Sequence, residues 1–145
     1  MYWREICLFF HREDICNLTA NFSKDIRILI VDDEELIRWS LQAALSGTNH
    51  TVDLAGSGEE ALKMLKDSEY DIIITDLKMP GLDGLELMAR IREKGINARV
   101  ILISAFLSDG AMKQAAEYGA FKCVNKPFGI EDFLGVVKEA VEAGS

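Results

Sequence analysis

From residue 26 onward the chain alternates, five times over, a short run of β-branched and aliphatic residues with a longer segment of helical spacing. The short runs fall at residues 26–31, 51–55, 71–75, 99–103 and 121–124. Several are apolar at consecutive positions, the pattern of strands covered on both faces. Between and after them, apolar residues recur on one helical face: Ile37, Leu41, Ala44 and Leu45; Leu87, Met88 and Ile91; Ala111, Met112, Ala115 and Ala116; Ile130, Leu134, Val137 and Val141. Ser57 with Glu60, and Asp83 with Glu86, have capping-box spacing. Gly47 and Gly119 stand where helices should stop. Each helix must bury its stripe, so the pattern implies a parallel sheet wrapped on both sides. Right-handed crossovers and the chain length select an α/β, flavodoxin-like, three-layer fold: a five-stranded parallel sheet of order 2-1-3-4-5 with five helices.

Bulk properties narrow the function. A length of 145 residues fits one domain, and 49% hydrophobic with 28% charged residues is globular. The net charge of −8, without a Lys/Arg cluster, argues against direct nucleic-acid binding. No apolar run approaches the roughly 18 residues of a membrane span. "ICLFF" at 6–10 is too short for a signal-peptide core and is followed by acids. The three cysteines, Cys7, Cys16 and Cys123, are odd in number and lack CxxC spacing, so reduced thiols in a cytoplasmic protein are expected. His11 and His50 have no partner at metal spacing and read as surface residues.

In open α/β sheets, sites form beyond the carboxyl ends of the strands. Asp32 and Asp33 follow the first run, in "ILIVDDEE"; Asp76 follows the third, Ser104 the fourth and Lys126 the fifth. Each has an ordinary explanation. Asp33 would cap a helix beginning at Glu34, with the other acids favouring its positive end. Asp76 would be a turn residue before "MPG". Ser104 would cap a helix, although Ser108 is better placed, and Lys126 would neutralise charge. Together they fit less well, because three carboxylates on one edge need a counter-charge. Mg2+ takes oxygen ligands from one or two carboxylates and keeps several waters. With it, one aspartate attacks phosphorus, metal and lysine balance the phosphoryl charge, and the hydroxyl donates to a phosphoryl oxygen. The Lys126-Pro127 corner is one where a cis bond can occur. "GSGEEA" at 56–61 matches a dinucleotide fingerprint on paper, but it follows the second strand, and Glu59 and Glu60 would oppose a pyrophosphate.

These residues resemble the receiver domains of bacterial two-component response regulators, of the CheY type. The resemblance rests on "ILIVDDEE", "DIIITDLKMPGLDG", "VILISA" and "NKPF", in order and properly separated, and spans about residues 25 to 141. It implies a receiver at 25–145 and an extension at 1–24. It implies Asp76 as phosphoacceptor, taking a phosphoryl group from a sensor histidine kinase or a phosphotransfer protein. Asp33, Asp76 and the main-chain carbonyl of Lys78 would bind Mg2+ directly, with Asp32 acting through a metal-bound water. Ser104 would hydrogen-bond the phosphoryl group and Lys126 would pair with it. Lys78 and Phe106 occupy the positions that tune the lifetime of the phosphoaspartate. The protein would be no enzyme beyond its own phosphorylation and slow autodephosphorylation. Its output would pass to an effector or output domain through the fourth helix, fifth strand and fifth helix.

One residue departs from the family pattern. Cys123 stands where receivers usually carry a switching aromatic, and it reads as a small packed hydrophobe. Two other functions compete: a degenerate receiver acting only as a binding module, and a Mg2+-dependent aspartyl phosphatase, which lacks its expected D-x-D-x-T run. "EELIRWSLQAAL" resembles the first helix of receivers attached to NtrC-type activators. The chain stops soon after the fifth helix, so a single-domain regulator or an excised receiver is expected. In residues 1–24, Trp3, Ile6 and Phe10 fall near one helical face. Three roles are open to that segment: covering an apolar patch, pairing into a homodimer, or an extension with no settled structure.

Overall fold

A computed structural model describes residues 25–144. The elements run β1 (Arg27–Val31), α1 (Glu35–Leu45), β2 (Thr51–Ala55), α2 (Gly58–Asp67), β3 (Ile72–Asp76), α3 (Gly84–Glu93), β4 (Arg99–Ser104), α4 (Asp109–Glu117), β5 (Lys122–Asn125) and α5 (Ile130–Glu142). The strands are all parallel, in the order β2-β1-β3-β4-β5. This is the expected flavodoxin-like arrangement.

The period of two along each strand divides the core into two layers. Ile28, Ile30, Ile72, Ile74, Ile101 and Ile103 pack with Leu41, Leu45, Phe133 and Val137 from α1 and α5. Leu29, Val31, Ile73, Val100 and Leu102 pack on the other face with Ala61, Leu65, Leu87, Ile91 and Ala115 from α2, α3 and α4. Both faces being covered is why these strands read as continuous apolar runs. Three helix starts follow the sequence expectation, with Ser57, Asp83 and Ser108 accepting the N–H of Glu60, Glu86 and Ala111. At α2 the glutamates satisfy main-chain donors: Glu60 accepts from Gly56 N–H and Glu59 from Leu82 N–H. The "GSGEEA" segment is therefore a capped turn whose acids occupy the place an anion would need.

Four expectations are corrected. β3 and β4 each run one residue further, so Asp76 and Ser104 close their strands rather than follow them. Gly119 adopts φ 75°, the left-handed stop expected of it, whereas Gly47 does not. Instead α1 ends through Ser46 and Thr48, whose hydroxyls donate to the carbonyls of Ala43 and Leu45. On α4 only Ala115 is buried, while Met112 and Ala116 face outward, because this helix rests on α3 and the short edge of the sheet. His50 is half-buried rather than superficial; burial pushes its pKa down against the opposing charge of Asp25. Among the described residues no helix is long and apolar enough to cross a membrane. The amphipathic pattern around Trp3, Ile6 and Phe10 lies outside the described residues.

Candidate phosphoacceptor site

The strand order sets β1, β3, β4 and β5 side by side, so four strands deliver their carboxyl ends to one edge. Val31 is level with Thr75, Asp76 with Ile103, and Ser104 with Asn125. The main chain continues this alignment past the strands. Leu77 N–H donates to the Ile103 carbonyl at 2.9 Å and Lys126 N–H to the Ser104 carbonyl at 2.8 Å. Asp32, Asp33, Asp76, Ser104 and Lys126, which are far apart in sequence, are thereby brought together.

The acids differ in what already holds them. Asp32 is buried; its Oδ1 accepts the Glu34 N–H at 2.9 Å, and its Oδ2 lies 3.7 Å from Lys126 Nζ. Asp76 is also buried; its Oδ1 accepts the Lys78 N–H at 3.2 Å, and its Oδ2 accepts from Lys126 Nζ at 2.9 Å. Asp33 is exposed and does not cap α1. The cap position is Glu34, whose side chain makes no cap bond, and the turn is closed by Asp32 instead. One oxygen from each of Asp32, Asp33 and Asp76 lies within 4.8 Å of the others. Lys126 precedes a cis Lys126-Pro127 bond.

Burial first, and then the neighbouring charges of Asp76 and Asp33, push the Asp32 carboxyl up to about 6, against the Glu34 N–H and Lys126, which lower it. Burial pulls the Lys126 ammonium down, but its bond to Asp76 and the charges of Asp76 and Asp32 reverse this, leaving it raised. Three carboxylates thus share one ammonium, a local excess of negative charge. The donors are all hard oxygens, and the exposed Asp33 carboxylate leaves room for the waters that a hard cation keeps. This set fits a Mg2+ ion. A carboxyl whose folded pKa lies above its ordinary value of 3.8 costs stability once ionised. Stability should fall as pH rises from near 4 through about 6, and the penalty should be complete above that. Asp32→Asn should therefore stabilise the metal-free protein by about 1–2 kcal/mol at neutral pH after allowing for solvent screening. The gain should vanish below pH 4; denaturant melts at two pH values test it.

Beside the acids lie the buried Ser104 and two exposed residues, Lys78 and Phe106. The Ser104 hydroxyl accepts the Phe106 N–H and donates to the Phe106 carbonyl, both at 3.2 Å. Lys78 Nζ lies 5.6 Å from the centroid of the exposed Phe106 ring, a cation–π contact across the mouth of the site.

The family described as response regulator receiver domain matches residues 28–138. The chain belongs to this family. It is 34% identical over 114 residues to the DNA-binding transcriptional regulator NtrC of Escherichia coli, covering 79% of this chain and 24% of that protein. It is 37% identical over 109 residues to response regulator MprA of Mycobacterium ulcerans, covering 75% of this chain and 47% of the relative. The receiver therefore spans a quarter to a half of the length of these relatives. The signal receiver domain of an HD domain-containing protein from Pseudomonas fluorescens superposes with a TM-score of 0.78 at 28% identity, covering 83% of this chain and 97% of that one. Response regulators are signalling modules that partner with histidine kinases and output domains.

Of the five side chains expected at the receiver's site, Asp32, Asp33, Asp76 and Lys126 cluster here, while the Ser104 hydroxyl, at the end of the neighbouring strand, bonds the Phe106 main chain. Sequence reasoning did not find Arg38, whose Nη1 donates to the Asp32 carbonyl at 2.6 Å. It comes from the first turns of α1 and braces the acidic corner from behind. Its position six residues after Asp32 is visible, but only the bend between β1 and α1 turns it back.

Proposed function

We propose that Asp76 accepts a phosphoryl group from a phosphohistidine, in a reaction that requires Mg2+, and that the modification changes what the α4–β5–α5 face binds. The carrying observation is the Asp76 carboxylate, buried at a strand end, hydrogen-bonded to Lys126 and clustered with Asp32 and Asp33. Asp33, Asp76 and the Lys78 carbonyl would ligate the ion, and Asp32 would act through a bound water. When bound, Mg2+ supplies positive charge to the phosphoryl oxygens. An Asp76 oxygen attacks phosphorus; the P–N bond breaks, and its electron pair leaves with the imidazole of the donor. Lys126 stays beside Asp76, where its ammonium offsets the charge on the transferred group.

Ser104 links this chemistry to the surface. Its hydroxyl now serves the Phe106 main chain. Donating to a phosphoryl oxygen would take the proton away from the Phe106 carbonyl and free the segment that leads to Ser108 and α4. That helix buries one residue and exposes Met112, with Tyr118 exposed at its C-cap, so its outer face is open to a partner. Cys123 packs beneath it against the core, consistent with a small hydrophobe, and burial raises its pKa. Lys122 Nζ ties β5 to Glu139 of α5 at 3.0 Å. A partner favouring one arrangement of this face would read the phosphorylation state.

The test is intact-protein mass after incubation with acetyl phosphate. A single phosphoryl adduct should form with Mg2+ and be absent with EDTA. Asp33→Ala should weaken Mg2+ binding roughly tenfold or more, because it removes a direct ligand, and should slow adduct formation in parallel. Unchanged metal affinity in a calorimetric titration would remove Asp33 from the ligand set.

A further inference from the structure

Four consecutive acids, Asp32 to Glu35, stand at the start of α1, yet the half-buried Arg38 in its first turn pairs with none of them. Its Nη1 donates instead to the main-chain carbonyl of Asp32, at 2.6 Å. The guanidinium also lies against the β2–α2 turn. A Cβ on Gly56 would stand 3.4 Å from Arg38 Nη1 and 3.4 Å from Glu60 Oε2, and Glu60 in turn accepts the Gly56 N–H at 2.9 Å. Arg38 therefore spans two turns beside the acidic edge and is itself confined by the second.

The effect of that bond depends on what else holds the corner. Asp32 is fixed at its N–H, which donates to the Ala55 carbonyl at 3.2 Å, and at its carboxylate, which accepts the Glu34 N–H and faces Lys126. Asp33 is exposed, and its carboxylate makes no hydrogen bond or ion pair with any described residue. Its direction therefore comes from the main chain. The peptide joining the two residues is planar, so the Asp32 oxygen and the Asp33 Cα turn together. By gripping that oxygen, Arg38 sets where Asp33 leaves the turn, and so how its carboxylate comes within 4.8 Å of those of Asp32 and Asp76.

On the reading that Asp33 and Asp76 ligate Mg2+, we propose that Arg38 is a positioning residue that sets the site's preference for Mg2+ over Ca2+. Mg2+ demands near-ideal octahedral ligands at about 2.1 Å, whereas Ca2+ accepts looser sets. A carboxylate aimed by a fixed peptide suits the first ion; one on a freed turn still serves the second. Charge alone makes the opposite forecast, because a cation beside the site repels a dication. Removing a mere charge would tighten metal binding, whereas removing a positioning group weakens it.

Calorimetric titration of the whole chain with MgCl2 and with CaCl2 tests this. Arg38→Met keeps the apolar stem and loses the fork. Its Mg2+ affinity should fall about tenfold, the scale of a group that orients a ligand, while its Ca2+ affinity stays within about twofold. Arg38→Lys keeps the charge without the planar fork and should lose Mg2+ affinity in the same direction. It carries the test if circular dichroism shows that Arg38→Met does not fold. Unchanged or tighter Mg2+ binding in a folded variant would overturn the proposal. So would an equal loss for both ions, which is a general loosening of the corner. Both results leave the metal reading standing. A wild-type chain that binds no Mg2+ would overturn that reading and the role of Arg38 with it.

Discussion

Asp76→Asn is expected to yield a folded protein that takes up no phosphoryl group, whatever the donor or Mg2+ concentration. The amide keeps the size of the carboxylate and can still accept the Lys78 N–H, so the β3 corner persists. What it lacks is a nucleophilic oxygen anion and a metal ligand. It also leaves Lys126 without its closest partner, at a distance of 2.9 Å, with only the more distant Asp32 carboxylate at 3.7 Å. The effect on reactivity is total, while the effect on stability is that of one ion pair. Mass spectrometry of the treated variant, with circular dichroism to confirm folding, separates these readouts. An undiminished adduct would place the acceptor elsewhere.

Gly84→Ala should be strongly damaging although it touches none of the site's chemistry. Gly84 begins α3, fully enclosed, and its N–H donates to the Leu77 carbonyl at 2.8 Å. A Cβ there would collide with the Asp76 carbonyl oxygen and stand 2.9 Å from the Leu77 Cα. Both are main-chain atoms that cannot rotate away, so relief requires the β3 end and α3 to separate. Overpacking against backbone costs about 3 kcal/mol. For a domain of this size that lowers the melting temperature by roughly 10 °C. Since the displaced segment carries Asp76, the rate of adduct formation should fall along with stability. Thermal melts and phosphorylation time courses on the same preparation check both. A variant melting like the parent would show that the close approach is easily relieved.

Much of this architecture could be read from the chain because the two layers impose two clean periods. Ile28, Ile30, Ile72 and Ile74 face one layer and Leu29 and Ile73 the other, so the strands declare themselves as unbroken apolar runs. The site residues were legible for a related reason: each sits where such a run ends, and a parallel sheet gathers those ends on one edge. What escaped was local and three-dimensional. Which acid closes the turn into α1 depends on side-chain direction, and Asp32 rather than Asp33 points back to the Glu34 N–H. The outward stance of Met112 and Ala116 reflects how little of α4 the edge of the sheet can cover. Gly84 carries no signal of its own, since the need for it comes from the Asp76 carbonyl eight residues earlier. His50 is half-buried because β2 and α1 close around it, not because of any motif.

The most direct test of the central claim is to trap the modified residue. Wild-type protein treated with acetyl phosphate and Mg2+ is reduced with borohydride, which converts an aspartyl phosphate to homoserine, and is then mapped by peptide mass spectrometry. Homoserine at position 76 alone, dependent on Mg2+, is the predicted result. A folded, Mg2+-loaded protein with no homoserine, or with homoserine at position 32 or 33 in place of 76, would contradict the account.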